Sequence, residues 1–306
     1  MTAEFSMVQA LEQRMLLSGA HPVDAAALAA PREAAVHVPT ARPKEAASSY
    51  NLMNLFAYDK LGAQWTYRTR YTARSSEGSD SGSGTQSVNV GRQTVRIDGH
   101  NCDVVTIDTP ETSQKYAWYS DSSGTYCTLI ATDLGMGKLE LKLHDTRVAP
   151  RSLSVGRTYS DKGTFDGTFT ISGYGQSIVG KVGGSVAATS RLAGTETVKV
   201  AAGRFSAVKG QYELTMSGKM TIRYQGRNYT ANFSATASET FWAVPGTGMV
   251  KSQDQMSVYV SMSGESERVT VTSNTELTGS SLVKTAARAP KAAAVFADRP
   301  IIGLLA

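Results

Sequence analysis

Between residues 212 and 224 apolar and polar side chains alternate without a break. Tyr212, Leu214, Met216, Gly218, Met220, Ile222 and Tyr224 fall on one face, and Glu213, Thr215, Ser217, Lys219, Thr221 and Arg223 on the other. A period of two is the pattern of a strand with one buried face. Gln225-Gly226-Arg227-Asn228 supplies a turn. The chain then returns with Tyr229, Ala231, Phe233, Ala235 and Ala237 opposite Thr230, Asn232, Ser234 and Thr236. This predicts an antiparallel hairpin, apolar on one side and wet on the other. Its first arm would span roughly 43 Å, so it has to bend, and Gly218 is the expected place for a bend or bulge.

The same alternation recurs at Trp65, Tyr67, Thr69 and Tyr71, at Leu139, Leu141 and Leu143, at Phe165, Phe169 and Ile171, and at Met256, Val258, Val260 and Met262. Such runs suffice for roughly ten strands or more, near the size at which an open sheet curls. No core segment reads as a long amphipathic helix. A weak internal echo links Val95–Val105 with Val198–Val208. Recurring hairpin chemistry explains it as well as two related half-sheets do.

Composition divides the chain into four parts: a compact motif at 1–19, an Ala/Pro-rich linker at 20–49, a Thr/Ser/Gly/aromatic β-domain at 50–283, and an Ala/Pro-rich arm at 284–306 with an apolar end. Of the nine prolines, only Pro110, Pro150 and Pro245 lie in the β-domain, as expected where proline would interrupt a hydrogen-bond ladder. A 41% hydrophobic fraction supports a core, and 19% charged residues excludes wholesale disorder.

The net charge of +5 is spread thinly, and no Lys/Arg run marks a nucleic-acid partner. Arg68, Arg70 and Arg74 read as a solvated face. No stretch has the apolar length of a transmembrane helix. The N-terminus lacks the basic and apolar regions of an ordinary signal peptide. Cys102 and Cys127 either form a disulfide or stand as two small core residues.

Catalytic chemistry finds little support. Gly-x-Ser-x-Gly is missing. Ser206-Ala207-Val208-Lys209 and Ser281-Leu282-Val283-Lys284 match Ser-x-x-Lys without its companion motifs. His21, His37, His100 and His144 have no ligand spacing that would hold a metal, and His144-Asp145 reads as a wet surface pair. The expectation is a protein that is not an enzyme, with no catalytic or metal-binding residues and no cofactor. Binding fares better. Tyr212, Leu214, Met216, Met220, Ile222, Ala231, Phe233 and Ala235 form a stripe in which methionine adapts and small residues leave room. On a curved sheet this stripe is a candidate site for a lipid or other apolar small molecule, against the reading that it is packed interior. The apolar end, Val295–Ala306, is a candidate edge for docking an envelope protein partner.

Leu11-Glu12-Gln13-Arg14-Met15-Leu16-Leu17-Ser18-Gly19 resembles the LEPR-XLL motif of planctomycete cell-surface and secreted proteins, with Gln13 at the motif's proline. The resemblance implies export, to the cell surface, periplasm or extracellular space. Gly194-Thr195-Glu196-Thr197-Val198-Lys199-Val200-Ala201-Ala202-Gly203-Arg204-Phe205, with Leu61–Tyr67 and Trp242–Lys251, resembles uncharacterised bacterial envelope β-proteins similar to the LolA/LolB half-barrels. This implies an all-β fold with one large curved antiparallel sheet, a half-barrel, with a β-sandwich or closed barrel as the alternatives. The expected function is an exported non-enzymatic envelope protein that binds an apolar ligand on its concave face. A structural or adhesive surface module acting through its edges and tail is the alternative, and a hydrolase of unknown type a minor one.

Overall fold

A computed structural model describes residues 49–282 apart from 77, 111, 134–136, 174–175, 225 and 263. The motif at 1–19, the linker up to residue 48 and the apolar C-terminal arm lie outside the described residues. The strands are β1 (Ser49–Tyr50), β2 (Gln64–Ser75), β3 (Gly78–Val90), β4 (Val95–Ile97), β5 (His100–Asp108), β6 (Ser113–Ser120), β7 (Gly124–Asp133) and β8 (Gly137–His144). They continue with β9 (Arg147–Pro150), β10 (Leu153–Ser154), β11 (Thr158–Gly173), β12 (Gln176–Val200), β13 (Gly203–Tyr224), β14 (Arg227–Val244), β15 (Gly248–Met262) and β16 (Glu265–Ser280). One short helix, α1 (Leu52–Phe56), stands between β1 and β2.

The sheet runs β3-β2-β16-β15-β14-β13-β12-β11-β8-β7-β6-β5, and β5 then pairs with β3. Ser87, Val88, Asn89 and Val90 face Asp108, Ile107, Thr106 and Val105. The result is a closed antiparallel barrel of 12 strands. The sheet therefore does not stop at the half-barrel; it takes the closed-barrel alternative. Accumulated right-handed twist turns a sheet this wide back on itself, and closure removes two exposed edges.

Direct cross-strand partners share a face, so the pairings define the lumen. One inward row reads Leu192, Gly210, Phe241, Ser252, Thr275, Thr69; the next reads Ser190, Tyr212, Glu239, Asp254, Ser273, Tyr71; the third reads Ala188, Leu214, Ala237, Met256, Val271, Ala73. Outward rows carry Thr, Ser, Asn, Gln, Lys and Arg. Arg68, Arg70 and Arg74 lie on this outer wall, opposite Glu276, Asn274 and Thr270 of β16.

One mouth is plugged. Asn51 caps α1 by accepting from the Asn54 backbone N–H, and Ala57 ends the helix in the left-handed conformation at φ 55°. Leu52 and Leu55 pack with Val148, Leu153, Ala188, Leu192, Val208 and Phe241. Phe56 tilts against Phe241 at 4.8 Å. Tyr58 meets Trp118 at 5.9 Å.

β13 is 22 residues long and β12 is 25, so both must coil. Gly218 carries no bulge, since its register with Gly184 and Phe233 is continuous. The register shifts lie elsewhere, among them Leu192/Gly194, Trp242/Ala243 and Leu277/Gly279. Gly218 instead permits close approach: a Cβ there would sit 2.1 Å from the Gly183 carbonyl oxygen, and one on Gly184 2.0 Å from that of Ser217. Bare glycines on these two strands leave room above the sheet. Phe165 of β11 and Phe233 of β14 use it, meeting edge-on at 5.8 Å across the two intervening strands. Gly180 under Phe169 and Gly210 under Phe241 repeat the device. The echoed segments Val95–Val105 and Val198–Val208 are both hairpins, β4–β5 and the tip of β12–β13. That fits recurring hairpin chemistry.

Gly184→Ala is expected to destabilise the barrel by about 2 kcal/mol, because backbone must move to admit the methyl group. Gly84→Ala, with nothing within 4 Å of its Cβ, should change little. Denaturant unfolding of both variants checks the difference.

Candidate functional site

All eight residues of the expected binding stripe face the lumen. Leu214 pairs with Ala237, Met216 with Ala235, Gly218 with Phe233 and Met220 with Ala231. Met216, Ile222 and Ala231 are buried, while Leu214, Met220, Phe233 and Ala235 are only partly covered. The stripe is thus neither a free concave face nor a fully packed core. The third inward row shows where coverage fails: Ala188 at its β12 end is fully buried, while Met256, three strands along on β15, is 44% exposed. Val258, Val260 and Val271 around it are half-buried. The barrel is filled on its β8–β13 wall and open toward β15.

The row just inside Met256 carries two acids that the sequence reading passed over. Glu239 pairs with Tyr212 on one side and Asp254 on the other. Asp254 Oδ2 accepts hydrogen bonds from Ser252 Oγ at 2.8 Å and Ser273 Oγ at 2.9 Å. Among the described residues Glu239 has no hydrogen-bond partner, nor do the Tyr58 and Tyr212 hydroxyls. Burial, reinforced by the neighbouring Asp254 charge, pushes the Glu239 carboxyl up to about 8. Asp254 is also raised, by burial, with its two serine hydrogen bonds pulling the other way. Burial raises the phenols of Tyr58, Tyr67, Tyr116 and Tyr212 above their ordinary range, and the Glu239 charge adds to each. Tyr67 donates to the Met249 carbonyl at 2.9 Å and Tyr116 to Gln114 Oε1 at 2.8 Å. Ser190 Oγ, next to Tyr212 on the row, is buried without a partner, as is Trp118 Nε1.

A signal for these acids was present in the sequence. Extending the inward sets Ala231–Ala237 and Met256–Met262 by one step lands on Glu239 and Asp254. A carboxylate in an inward register is expensive unless it has a task.

The remaining candidates disperse. Cys102 and Cys127 are free thiols, so the disulfide left open above does not form. β6 lies between their strands, which sets them roughly 9–10 Å apart, beyond the reach of a disulfide. Cys102 Sγ lies 3.7 Å from Thr128 Oγ1, and Cys127 Sγ donates to the Leu129 carbonyl. Burial lifts the Cys127 thiol to about 12. His144 pairs with Asp166 rather than Asp145, on the solvent side of β8 and β11. Ser281 Oγ accepts from the Gln64 backbone N–H. The described residues contain no cluster of three or more His, Cys, Asp or Glu placed to hold a metal. Nor do they contain a helix long and apolar enough to cross a membrane.

The outer wall carries a cleft of about 560 Å³. Two outward rows line it across β11–β16: Thr158, Arg191, Gln211, Thr240, Gln253 and Asn274, then Thr189, Glu213, Ser238, Gln255 and Thr272, and Tyr212, Glu239, Asp254 and Ser273 of the inward row between them also border it. Every one of these side chains is polar. This cleft lies on the outer wall among polar side chains, while the apolar opening lies within the lumen.

No protein-family model matches the sequence, and no curated protein matches it. Among solved structures, the chain is similar to a proposed exported protein with a YmcC-like fold from Bacteroides fragilis, at 14% identity and TM-score 0.25, covering 72% of this chain and 96% of that one. A proposed lipoprotein from Parabacteroides distasonis matches at 10% identity and TM-score 0.26, covering 72% and 95%. The hypothetical lipoprotein YmcC from Escherichia coli matches at 14% and 0.27, covering 69% and 87%. Similarity at that level adds nothing to the barrel seen directly and assigns no activity.

Glu239 holds its proton up to about 8 in the folded chain but only to its ordinary 4.5 when unfolded. The folded state therefore binds more protons between those values. Its contribution is complete below about pH 4.5 and is lost as the pH rises to about 8. The melting temperature should fall over that window, and Glu239→Gln should flatten the fall and exceed the parent protein at pH 8. Equal slopes for the two proteins would contradict the burial of this acid.

Proposed function

We propose that this chain is an exported, non-enzymatic envelope protein whose barrel holds a lipid or other apolar ligand at its open luminal mouth. The observation that carries the reading is the inward-facing but 44% exposed Met256, set among the half-buried Leu214, Ala235, Val258 and Val271. Apolar surface that faces inward and still meets solvent is where an apolar ligand gains most on entry. The outer wall is hydrophilic, the reverse of a barrel that sits in lipid. Export is supported by the Leu11–Gly19 resemblance to LEPR-XLL, which fits the cell surface, the periplasm or the extracellular space.

A structural or adhesive surface module is the second reading. The hydroxyl- and amide-lined outer cleft favours it, since such a surface suits a hydrated polymer better than a lipid.

Native mass spectrometry of protein from its own host, with organic extraction, is expected to find a bound apolar molecule. Ala235→Trp, which fills the space between Met216 and Val258, should weaken binding of a neutral lipophilic dye about tenfold or more, with the circular dichroism unchanged. A clean unliganded mass together with no dye binding would sink the luminal reading and leave the outer cleft as the working surface.

A further inference from the structure

We infer that the open lumen is built for a cationic amphiphile, with an ammonium-type head seated between Glu239, Asp254 and the surrounding tyrosines and its apolar part lying along Leu214, Ala235 and Val258. This rests on the luminal reading above and specifies its ligand class.

Geometry supplies the first reason. Glu239 and Asp254 are direct neighbours on one face, so their Cβ atoms lie roughly 5 Å apart. Asp254 is two residues from the exposed Met256 on the same strand, about 7 Å deeper. The acids therefore stand one row inside the mouth, at the end of the apolar wall.

Charge supplies the second. Neither Glu239 nor Asp254 forms an ion pair among the described residues. Arg147 is engaged by Asp161 at 3.4 Å and by the hydroxyl of Tyr159, the residue opposite Ser190. Lys209 and Lys251 face outward, over the Trp242 ring at 5.0 and 5.1 Å. An enclosed negative charge with no internal cation is costly, which is why Glu239 keeps its proton up to about 8; an incoming ammonium group would offset that cost and favour the ionised acids.

The surroundings supply the third. Tyr212 flanks Glu239 directly, and Tyr58 and Tyr116 lie within electrostatic reach of it. Ring faces attract ammonium and quaternary ammonium groups, most strongly where water is excluded. Ser190, 2% exposed and on the same inward row beside Tyr212, has a hydroxyl with no partner. That hydroxyl is an acceptor held in reserve at the same place. A carboxylate or phosphate head would meet like charge here, so an anionic amphiphile fits the mouth and not the floor.

The test uses displacement of a neutral lipophilic dye by dodecyltrimethylammonium, dodecanol and dodecanoate, all below their micelle concentrations and at a pH above 8, where Glu239 is ionised. The ammonium compound is expected to bind about tenfold more tightly than the alcohol, and the carboxylate more weakly than either. Glu239→Gln and Asp254→Asn should bring the ammonium compound to within about threefold of dodecanol and leave dodecanol itself unchanged. Both variants remove buried charge and should fold, which the melting curve verifies. Equal affinities for the three heads, preference for the carboxylate, or variants without effect would overturn the head-group inference while leaving the apolar lumen standing. Failure of all three to displace the dye, or of the dye to bind at all, would overturn the luminal reading and this inference with it.

Discussion

The pairing of Ser87–Val90 with Val105–Asp108 is the contact on which the rest of the molecule depends. Without it, β3 and β5 are two long, exposed edges, and the inward rows face solvent along one side of a curved sheet. With it, the ring closes and the interior becomes a separate compartment. Glu239 and Asp254 then become enclosed acids rather than surface ones. The raised Glu239 carboxyl, the raised phenols around it and the contrast between a plugged and an open mouth are consequences of that closure.

Closure alone does not shape the lumen; glycine does. A barrel of twelve strands encloses more space than its inward side chains fill, so one wall has to fold inward or something has to enter. Both occur. α1 and Tyr58 enter one mouth and pack on Phe241 and Trp118. On the β11–β14 wall the bare backbones of Gly184 and Gly218 let strands approach and let Phe165 and Phe233 meet above them. On β14–β16 the glycines among the described residues, Gly248 and Gly279, stand at strand ends away from this wall, and Met256, Val258 and Val260 remain partly open. The asymmetry between a packed wall and an uncovered one leaves apolar surface partly open on the inward face.

Much of this was legible in the chain. The strict alternation of 212–224 and 229–237 placed the hairpin and its inward face, because a period of two leaves no choice of side once one face is apolar. The turn near Gly226 and the outward Arg68, Arg70 and Arg74 followed from the same rule. Closure was not legible, because Gly78–Gly84 of β3 is so rich in Ser and Gly that no alternation marks it as a strand. Its strand character comes from pairing with β2, joined by β5 only at Ser87–Val90, rather than from its own propensity. The thiols could not be placed for a related reason: their separation depends on β6 running between them, which no spacing in sequence reveals. Glu239 and Asp254 were within reach, but attention to apolar positions ended the inward face one residue pair too early.

The most direct test of the open-mouth account is the thiol reactivity of Met256→Cys against Phe241→Cys, two inward positions separated by the Glu239–Asp254 row. The native thiols are both buried and should stay silent. Cys at 256 should react with a small maleimide at a rate within about tenfold of an exposed thiol, and an apolar ligand should slow it, while Cys at 241 should react only as the barrel unfolds. If Cys at 256 is as inert as Cys at 241 in the folded protein, the mouth is closed and the account fails.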